Sequence, residues 1–92
     1  CQQVVWKHFR FDAIFKGRIV ELKNYDWTKY SSSQIARLAG KFATQGQKYL
    51  QAIGQYVGGQ KINGITFYFS SKPPQTIIDA LKKLGIAVDW VR

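Results

Sequence analysis

Cysteine, histidine and long apolar runs are scarce in this chain. Its one cysteine, Cys1, excludes an internal disulfide and a cysteine-based zinc site. We interpret Cys1 as simply the start of a fragment of a longer protein; the alternative is a lipid-modified mature terminus. The one histidine, His8, excludes a metal site of several histidines, and we expect it to be structural. No segment approaches the roughly 18 consecutive apolar residues that cross a bilayer, so no membrane span is expected.

Acidic residues are also few, and this scarcity dominates the charge of the chain. Fourteen Lys and Arg against five Asp and Glu give a net charge of +9 over 92 residues. Such an excess attracts polyanions and gives nucleic acid a non-specific, salt-sensitive affinity. An anionic membrane surface or an acidic protein would be attracted too, so charge alone names no partner. With 46% hydrophobic residues, this length predicts one globular domain over residues 1–92.

The hydrophobic pattern predicts an α/β domain with the order strand, strand, helix, strand, helix, strand. A turn at residues 15–18 joins the first two strands as a hairpin, and the helical crossovers predict parallel pairing of the later strands. The serines at 31–33 are candidate N-caps, and Gly46 is where a kink of the first helix would fall. Gly58 and Gly59 should end that helix, and Gly85 should cap the second. Strands are expected at 3–13, 18–23, 65–70 and 86–91, and helices at 34–57 and 74–84.

Three ionisable residues on the predicted hairpin form the candidate chemistry. Glu21 and Lys23 project from the same face of their strand because side chains alternate, and Asp12 lies on the neighbouring arm. Two carboxylates at such a place make a hard oxygen site suited to Mg²⁺ or Mn²⁺. A bound cation activates water and neutralises charge on phosphorus, and an adjacent ammonium orients the water or stabilises the transition state. This arrangement favours phosphodiester hydrolysis.

Each of these residues also has a simpler interpretation. Taken alone, Glu21 and Lys23 are more often solvated strand residues, and Asp12 is more often a polar residue at a strand end. Glu21, however, lies between Val20 and Leu22 on a strand that a helix should cover. An ionisable group on a covered sheet face needs a partner or a metal.

The segment from Phe11 to Asp26 resembles the signature of the restriction-endonuclease-like superfamily, an aspartate followed by Glu-x-Lys on the next strand. The closest look is to toxin nucleases at the C-termini of large proteins in bacterial competition systems. The superfamily core also runs hairpin, helix, strand, helix, so the resemblance covers most of the chain. It departs in one respect, because the core begins with a helix for which the residues before Gln3 leave no room.

The resemblance implies roles for individual residues. Asp12, Glu21 and the Leu22 carbonyl would hold the metal, and Lys23 would assist the nucleophile. Many members place a Gln in the following helix, sometimes with a Tyr four positions later; Gln45 and Tyr49 have that spacing, and Gln47 is an alternative to Gln45. A toxin of this kind implies delivery by secretion or contact into the cytoplasm of a target cell, and a cognate immunity protein with an acidic contacting face.

Basic residues interleaved with the aromatics Trp27, Tyr30 and Tyr49 are candidates for a phosphate-binding rim around the site. The rim residues are Lys7, Arg10, Lys16, Arg18, Lys29, Arg37, Lys41 and Lys48.

Other functions remain open: a repair or junction-resolving nuclease, a non-catalytic nucleic-acid-binding module, or an inhibitor-type or structural interaction domain. The substrate is open as well, between DNA and RNA such as tRNA.

Overall fold

The protein is a small mixed α/β domain with two helices and a mixed sheet. A computed structural model describes residues 4–6, 9–11 and 13–91, with side chains described for residues 13–91. A short 3₁₀ helix at Trp27–Lys29 precedes the first α-helix. The helices are α1 (Ser32–Leu50) and α2 (Gln75–Lys82), and the strands are β1 (Val4–Trp6), β2 (Phe9–Phe11), β3 (Ala13–Phe15), β4 (Arg18–Lys23), β5 (Tyr56–Val57), β6 (Gln60–Lys61), β7 (Gly64–Phe69) and β8 (Ala87–Trp90).

The main sheet has the strand order β3-β4-β7-β8. β3 and β4 are antiparallel, whereas β7 is parallel to both β4 and β8, which confirms the parallel pairing expected from the helical crossovers. Ile19, Ile65 and Phe67 are buried in the hydrophobic core together with Phe42 of α1 and Leu81 of α2. The residues that alternate with them on β4 and β7 are more exposed, so one face of the sheet carries the core.

The hairpin of β3 and β4 turns at Lys16 and Gly17, where the sequence predicts it. Both residues have positive φ angles, 51° and 78°, as tight two-residue hairpin turns require. A Cβ atom on Gly17 would lie 2.5 Å from the carbonyl oxygen of Lys61, so the turn needs glycine for close approach as well. This contact fixes the β3–β4 turn against β6.

The single strand predicted at residues 3–13 is wrong. β1 and β2 pair with each other as an antiparallel two-stranded sheet, with Val5 opposite Arg10, and β3 belongs to the main sheet. Residues five apart can face each other across a strand pair only if the chain reverses between them. The sequence between the two strands contains no glycine, proline, asparagine or aspartate, so no common turn residue indicates the reversal.

Helix α1 begins as predicted and ends earlier than predicted. Ser31 is the N-cap and forms a capping box with Gln34. The helix continues through Gly46 without the break expected there and ends at Leu50, not near residue 57. Gly54, with a φ of 86°, lies in the turn that follows. Residues 58 and 59 do not end a helix; they form the turn of the hairpin between β5 and β6.

Helix α2 and the last strand follow the prediction closely. Beyond the helix, Gly85 has a φ of 81° and its N–H bonds to the Lys82 carbonyl, while the Ile86 N–H bonds to Leu81. This pair of bonds is a Schellman cap. Over the described part of the chain, neither helix has both the length and the apolarity that crossing a bilayer demands.

Candidate active site

Strand β4 places Glu21 and Lys23 on the face of the sheet that carries the core. Glu21 is 5% exposed and is the one charged residue that is buried among residues 13–91, while Lys23 is half-buried. The intervening Leu22 is 53% exposed and belongs to the opposite face. The alternation predicted for this strand is therefore confirmed, and a carboxylate is held where water has little access.

The Glu21 carboxylate receives two hydrogen bonds from helix α1 on the same oxygen. The Tyr49 hydroxyl donates a hydrogen bond to Oε2, and Gln45 donates to Oε2 from Nε2 at 3.0 Å. The same Gln45 nitrogen lies 2.9 Å from the Tyr49 oxygen. These donors satisfy a charge that would be costly to bury alone, and they hold the carboxylate in one orientation.

Gln45 also reaches the amine of the candidate site. Lys23 donates from Nζ to Oε1 of Gln45 at 2.8 Å, so the carbonyl end of the amide faces the ammonium and the NH₂ end faces the carboxylate. The ammonium lies 5.1 Å from the ring centroid of Phe42 and 5.7 Å from that of Phe67. Both distances are within the range of cation–π attraction. The amide thus bridges Glu21 and Lys23.

The structure separates the two glutamines that the sequence left as alternatives. Gln45 and Tyr49 are four residues apart and share a helix face, whereas Gln47 is about 200° away from Gln45 around the helix and is exposed. The structure brings Gln45 to Glu21 and Lys23, and it leaves Gln47 on the solvent side of α1. Phe42 supplies a signal for this choice, because it is buried and lies three residues before Gln45.

Asp12, the second predicted metal ligand, lies outside the described residues, as do Cys1 and His8. The hairpin starts beside it, with Ala13 opposite Val20, the neighbours in sequence of Asp12 and Glu21. Among the residues that are described, no group of three His, Cys, Asp or Glu side chains is close enough to hold a metal. A metal held by Glu21 would therefore need further ligands from Asp12 or from backbone oxygens.

An open cavity of about 190 Å³ adjoins the ends of β4 and β7. Lys23 lines it together with Asn24 and Ser70, and Leu22 and Tyr68 complete the wall. Sequence reasoning did not identify Asn24, Tyr68 or Ser70 as site residues, because their proximity depends on the parallel register of β4 and β7, in which Leu22 lies beside Tyr68.

Aromatic side chains close the same end of the domain. Tyr25 and Trp27 stack with ring centroids 5.1 Å apart, and the Trp27 indole donates to the Ser71 carbonyl. Burial, with a smaller contribution from the charge of Tyr30, raises the pKa of Tyr25 above its usual value of 10.0. Trp27 and Tyr30 are half-buried. Tyr49 is buried beside Glu21, so the expectation that Tyr49 belongs to a surface rim is wrong.

The predicted basic rim divides into two groups. Arg37, Lys41 and Lys48 are exposed at spacings of four and seven, so they form a stripe along α1, a helix without acidic residues. Gln45 lies four residues after Lys41 and three before Lys48, which places the stripe beside the Glu21 network. Lys29 is exposed just before this helix.

The second group lies at the other end of β4. Lys16 is in the β3–β4 turn, and the Arg18 guanidinium donates to the Thr66 hydroxyl at 3.2 Å. The side chains of Lys7 and Arg10 are outside the described residues. The basic side chains among residues 13–91 therefore do not form one ring. Some lie along α1 beside the Glu21 network, and Lys16 and Arg18 lie about a strand length away from it.

No protein-family model, curated protein or solved structure matches this chain. The case for a function therefore depends on the residues and their geometry.

Proposed function

We propose that this domain is a nuclease that hydrolyses phosphodiester bonds of DNA or RNA with Mg²⁺ or Mn²⁺. In this proposal Asp12, Glu21 and the Leu22 carbonyl hold the metal, and Lys23 assists the attacking water. The observation that carries the proposal is the bridge in which Gln45 joins the buried Glu21 carboxylate to the Lys23 ammonium.

The environment of Glu21 supports a role as a metal ligand. Carboxylate and carbonyl oxygens are the ligands that Mg²⁺ and Mn²⁺ prefer. Carboxylates that bind a metal are commonly oriented by hydrogen bonds from residues that do not bind it themselves. Tyr49 and Gln45 supply two such bonds to a single oxygen of Glu21. A bound cation would lower the pKa of its water and neutralise charge that develops on phosphorus.

The environment of Lys23 supports a role in the transition state. Its ammonium is held by the Gln45 carbonyl and two aromatic rings on the face of the sheet that carries the core. An ammonium fixed in this way is available to orient a water molecule or to stabilise negative charge on a phosphate. Arg37, Lys41 and Lys48 would hold the neighbouring phosphates of the substrate along α1.

We further propose the superfamily and the biological class of this nuclease. The order antiparallel hairpin, helix, parallel strand, helix, parallel strand is compatible with a restriction-endonuclease-like core. The short motif and the net charge of +9 favour a toxin nuclease delivered from a bacterium into the cytoplasm of a target cell. Such a toxin would be blocked by an immunity protein with an acidic contacting surface.

Cleavage assays with matched variants test this proposal. The protein is incubated with plasmid DNA and with tRNA, in Mg²⁺, in Mn²⁺ and in chelator. Glu21→Gln removes the ligand charge, and Asp79→Asn is its control, because Asp79 is an exposed acid on α2. The control for Lys23→Met is Lys82→Met, because Lys82 is an exposed lysine on α2. Circular dichroism checks that each variant is folded.

We expect cleavage by the wild type and both control variants in either metal, none in chelator, and a loss of at least about a hundredfold in Glu21→Gln and Lys23→Met. Cleavage that persists equally in chelator or in Glu21→Gln overturns the metal mechanism. Salt-sensitive binding of intact substrate without cleavage would instead favour a non-catalytic nucleic-acid-binding module.

A further inference from the structure

Two aromatic rings are exposed at the end of the sheet where β4 begins. Phe15 is 66% exposed and Tyr56 is 72% exposed, more than any other large hydrophobic side chain among residues 13–91. Neither ring belongs to the hydrophobic core, so packing does not account for an aromatic residue at these positions. Exposed aromatic faces of this kind are typical of binding surfaces.

The two rings are carried by hairpins that are joined to each other. The Gly17 N–H donates to the Gln60 side chain at 2.8 Å, and the Asn63 N–H donates to the Gly17 carbonyl at 2.8 Å. Tyr56 is paired with Lys61 across the β5–β6 hairpin. The turn that follows Phe15 therefore lies directly against the hairpin that carries Tyr56.

Positive charge accompanies both rings. Lys16 lies with its ammonium 5.5 Å from the Phe15 ring centroid, and Lys61 is exposed opposite Tyr56. The segments 13–20 and 54–66 contain no Asp or Glu. We refer to Phe15, Lys16, Tyr56 and Lys61 as the hairpin edge. Aromatic rings interleaved with lysines are the combination that binds single-stranded nucleic acid, whose bases stack on rings while its phosphates contact the cations.

We propose that the hairpin edge is a second nucleic-acid contact that stacks unpaired bases, so that the substrate has a single-stranded segment a few nucleotides away from the cleaved bond. The proposal rests on the proposed function for the identity of the polymer, but its test needs no cleavage. From Arg18 to Lys23 the strand covers roughly 16 Å at about 3.3 Å per residue. One strand of a duplex spans that distance in about five nucleotides at 3.4 Å each, and an extended single strand spans it in fewer.

Binding measurements in chelator separate this proposal from catalysis. Fluorescein-labelled dT12 and a 12-base-pair duplex are titrated with the wild type, with Phe15→Leu/Tyr56→Leu, and with Phe15→Tyr/Tyr56→Phe. Leucine keeps apolar bulk but removes the stacking face, whereas the second variant keeps both rings. All four substitutions are at exposed positions, so folding should be unaffected, and circular dichroism checks it.

We expect the leucine variant to bind dT12 at least about thirtyfold more weakly than the wild type, because each of the two stacked bases contributes about 1–3 kcal/mol. Duplex binding should change less than about twofold, and the ring-keeping variant should bind dT12 like the wild type. An equal loss for both probes, or no loss for dT12, overturns the proposal and leaves the rings for a protein partner. Plasmid and tRNA cleavage, measured separately, decides whether the nuclease proposal fails.

Discussion

Gln45 donates a hydrogen bond from Nε2 to Oε2 of Glu21 at 3.0 Å, from the C-terminal half of helix α1 to strand β4. This contact crosses the interface between helix and sheet, where the other buried side chains among residues 13–91 are hydrophobic. Because its carbonyl end accepts from Lys23, one neutral side chain connects a buried anion with a half-buried cation. Such a network is favourable only when each member keeps its partners.

Removal of the Gln45 amide should therefore be costly. We expect Gln45→Ala to lower the free energy of unfolding by about 1–3 kcal/mol, because it takes a donor from Glu21 and an acceptor from Lys23. Gln47→Ala is the control on the same helix and should change stability by less than about 0.5 kcal/mol, since Gln47 is exposed. Urea unfolding of both variants measures this difference, and equal losses would contradict the network.

The Tyr49 hydroxyl should contribute separately. Tyr49→Phe removes one hydroxyl donor from the Glu21 carboxylate without changing the packing of the ring. We expect a loss of about 1–3 kcal/mol in urea unfolding, because a hydrogen bond to a buried charged group is lost. Tyr56→Phe removes a hydroxyl from a tyrosine that is 72% exposed and should leave stability unchanged. A Tyr49→Phe variant as stable as the wild type would argue against the bond.

Glycines 40 and 46 of α1 should respond to alanine in opposite ways. A Cβ at Gly46 would lie 2.3 Å from Cδ1 of the buried Ile86, whereas a Cβ at Gly40 meets nothing within 4 Å. We expect Gly40→Ala to stabilise by up to about 1 kcal/mol through helix propensity and Gly46→Ala to destabilise by about 1–3 kcal/mol through overpacking.

Thermal and urea unfolding of the two variants measure the opposite signs. Ile86→Val removes the Cδ1 atom that a Cβ at Gly46 would contact. Combined with Gly46→Ala, it should recover part of the lost free energy of unfolding. If Gly46→Ala were as stabilising as Gly40→Ala, the close approach of α1 to Ile86 would be wrong.

Tyr25 should make stability fall in alkaline solution. Burial raises the pKa of this phenol in the folded protein above the unfolded value of 10.0. Between the two pKa values the folded state binds more protons than the unfolded state. The contribution of Tyr25 to stability is therefore fully present below pH 10 and is lost as the pH rises through the folded pKa. Urea unfolding from pH 9 to pH 11 should show a shallower decline for Tyr25→Phe than for the wild type. Parallel declines would contradict this assignment.

Much of the fold could be predicted from local signals. The Ser31 cap, the Lys16 and Gly17 turn and the Gly85 cap each depend on residues adjacent in sequence, and the structure has all three. The end of α1 could not be predicted in this way. Ile53 and Tyr56 continue the apolar spacing of the helix, so periodicity does not reveal that Gly54 adopts a positive φ and that the chain turns into a hairpin.

The candidate site was predictable in part for the same reason. The shared face of Glu21 and Lys23 follows from strand alternation, whereas Gln45 with Tyr49 was implied by the family resemblance, which left Gln47 as an alternative. The cation–π contacts of Lys23 with Phe42 and Phe67, and the cavity beside Tyr68, depend on how α1 and β7 pack against β4. These contacts join residues far apart in sequence, and no local pattern contains that information.

A titration with Mn²⁺, followed by the loss of the free-ion signal in electron paramagnetic resonance, tests most directly whether Glu21 and Asp12 share a cation. We predict one bound ion per wild-type chain, with affinity at least tenfold weaker in Glu21→Gln and in Asp12→Asn and unchanged in Asp79→Asn. Equal Mn²⁺ binding by the wild type, Glu21→Gln and Asp12→Asn would contradict the account.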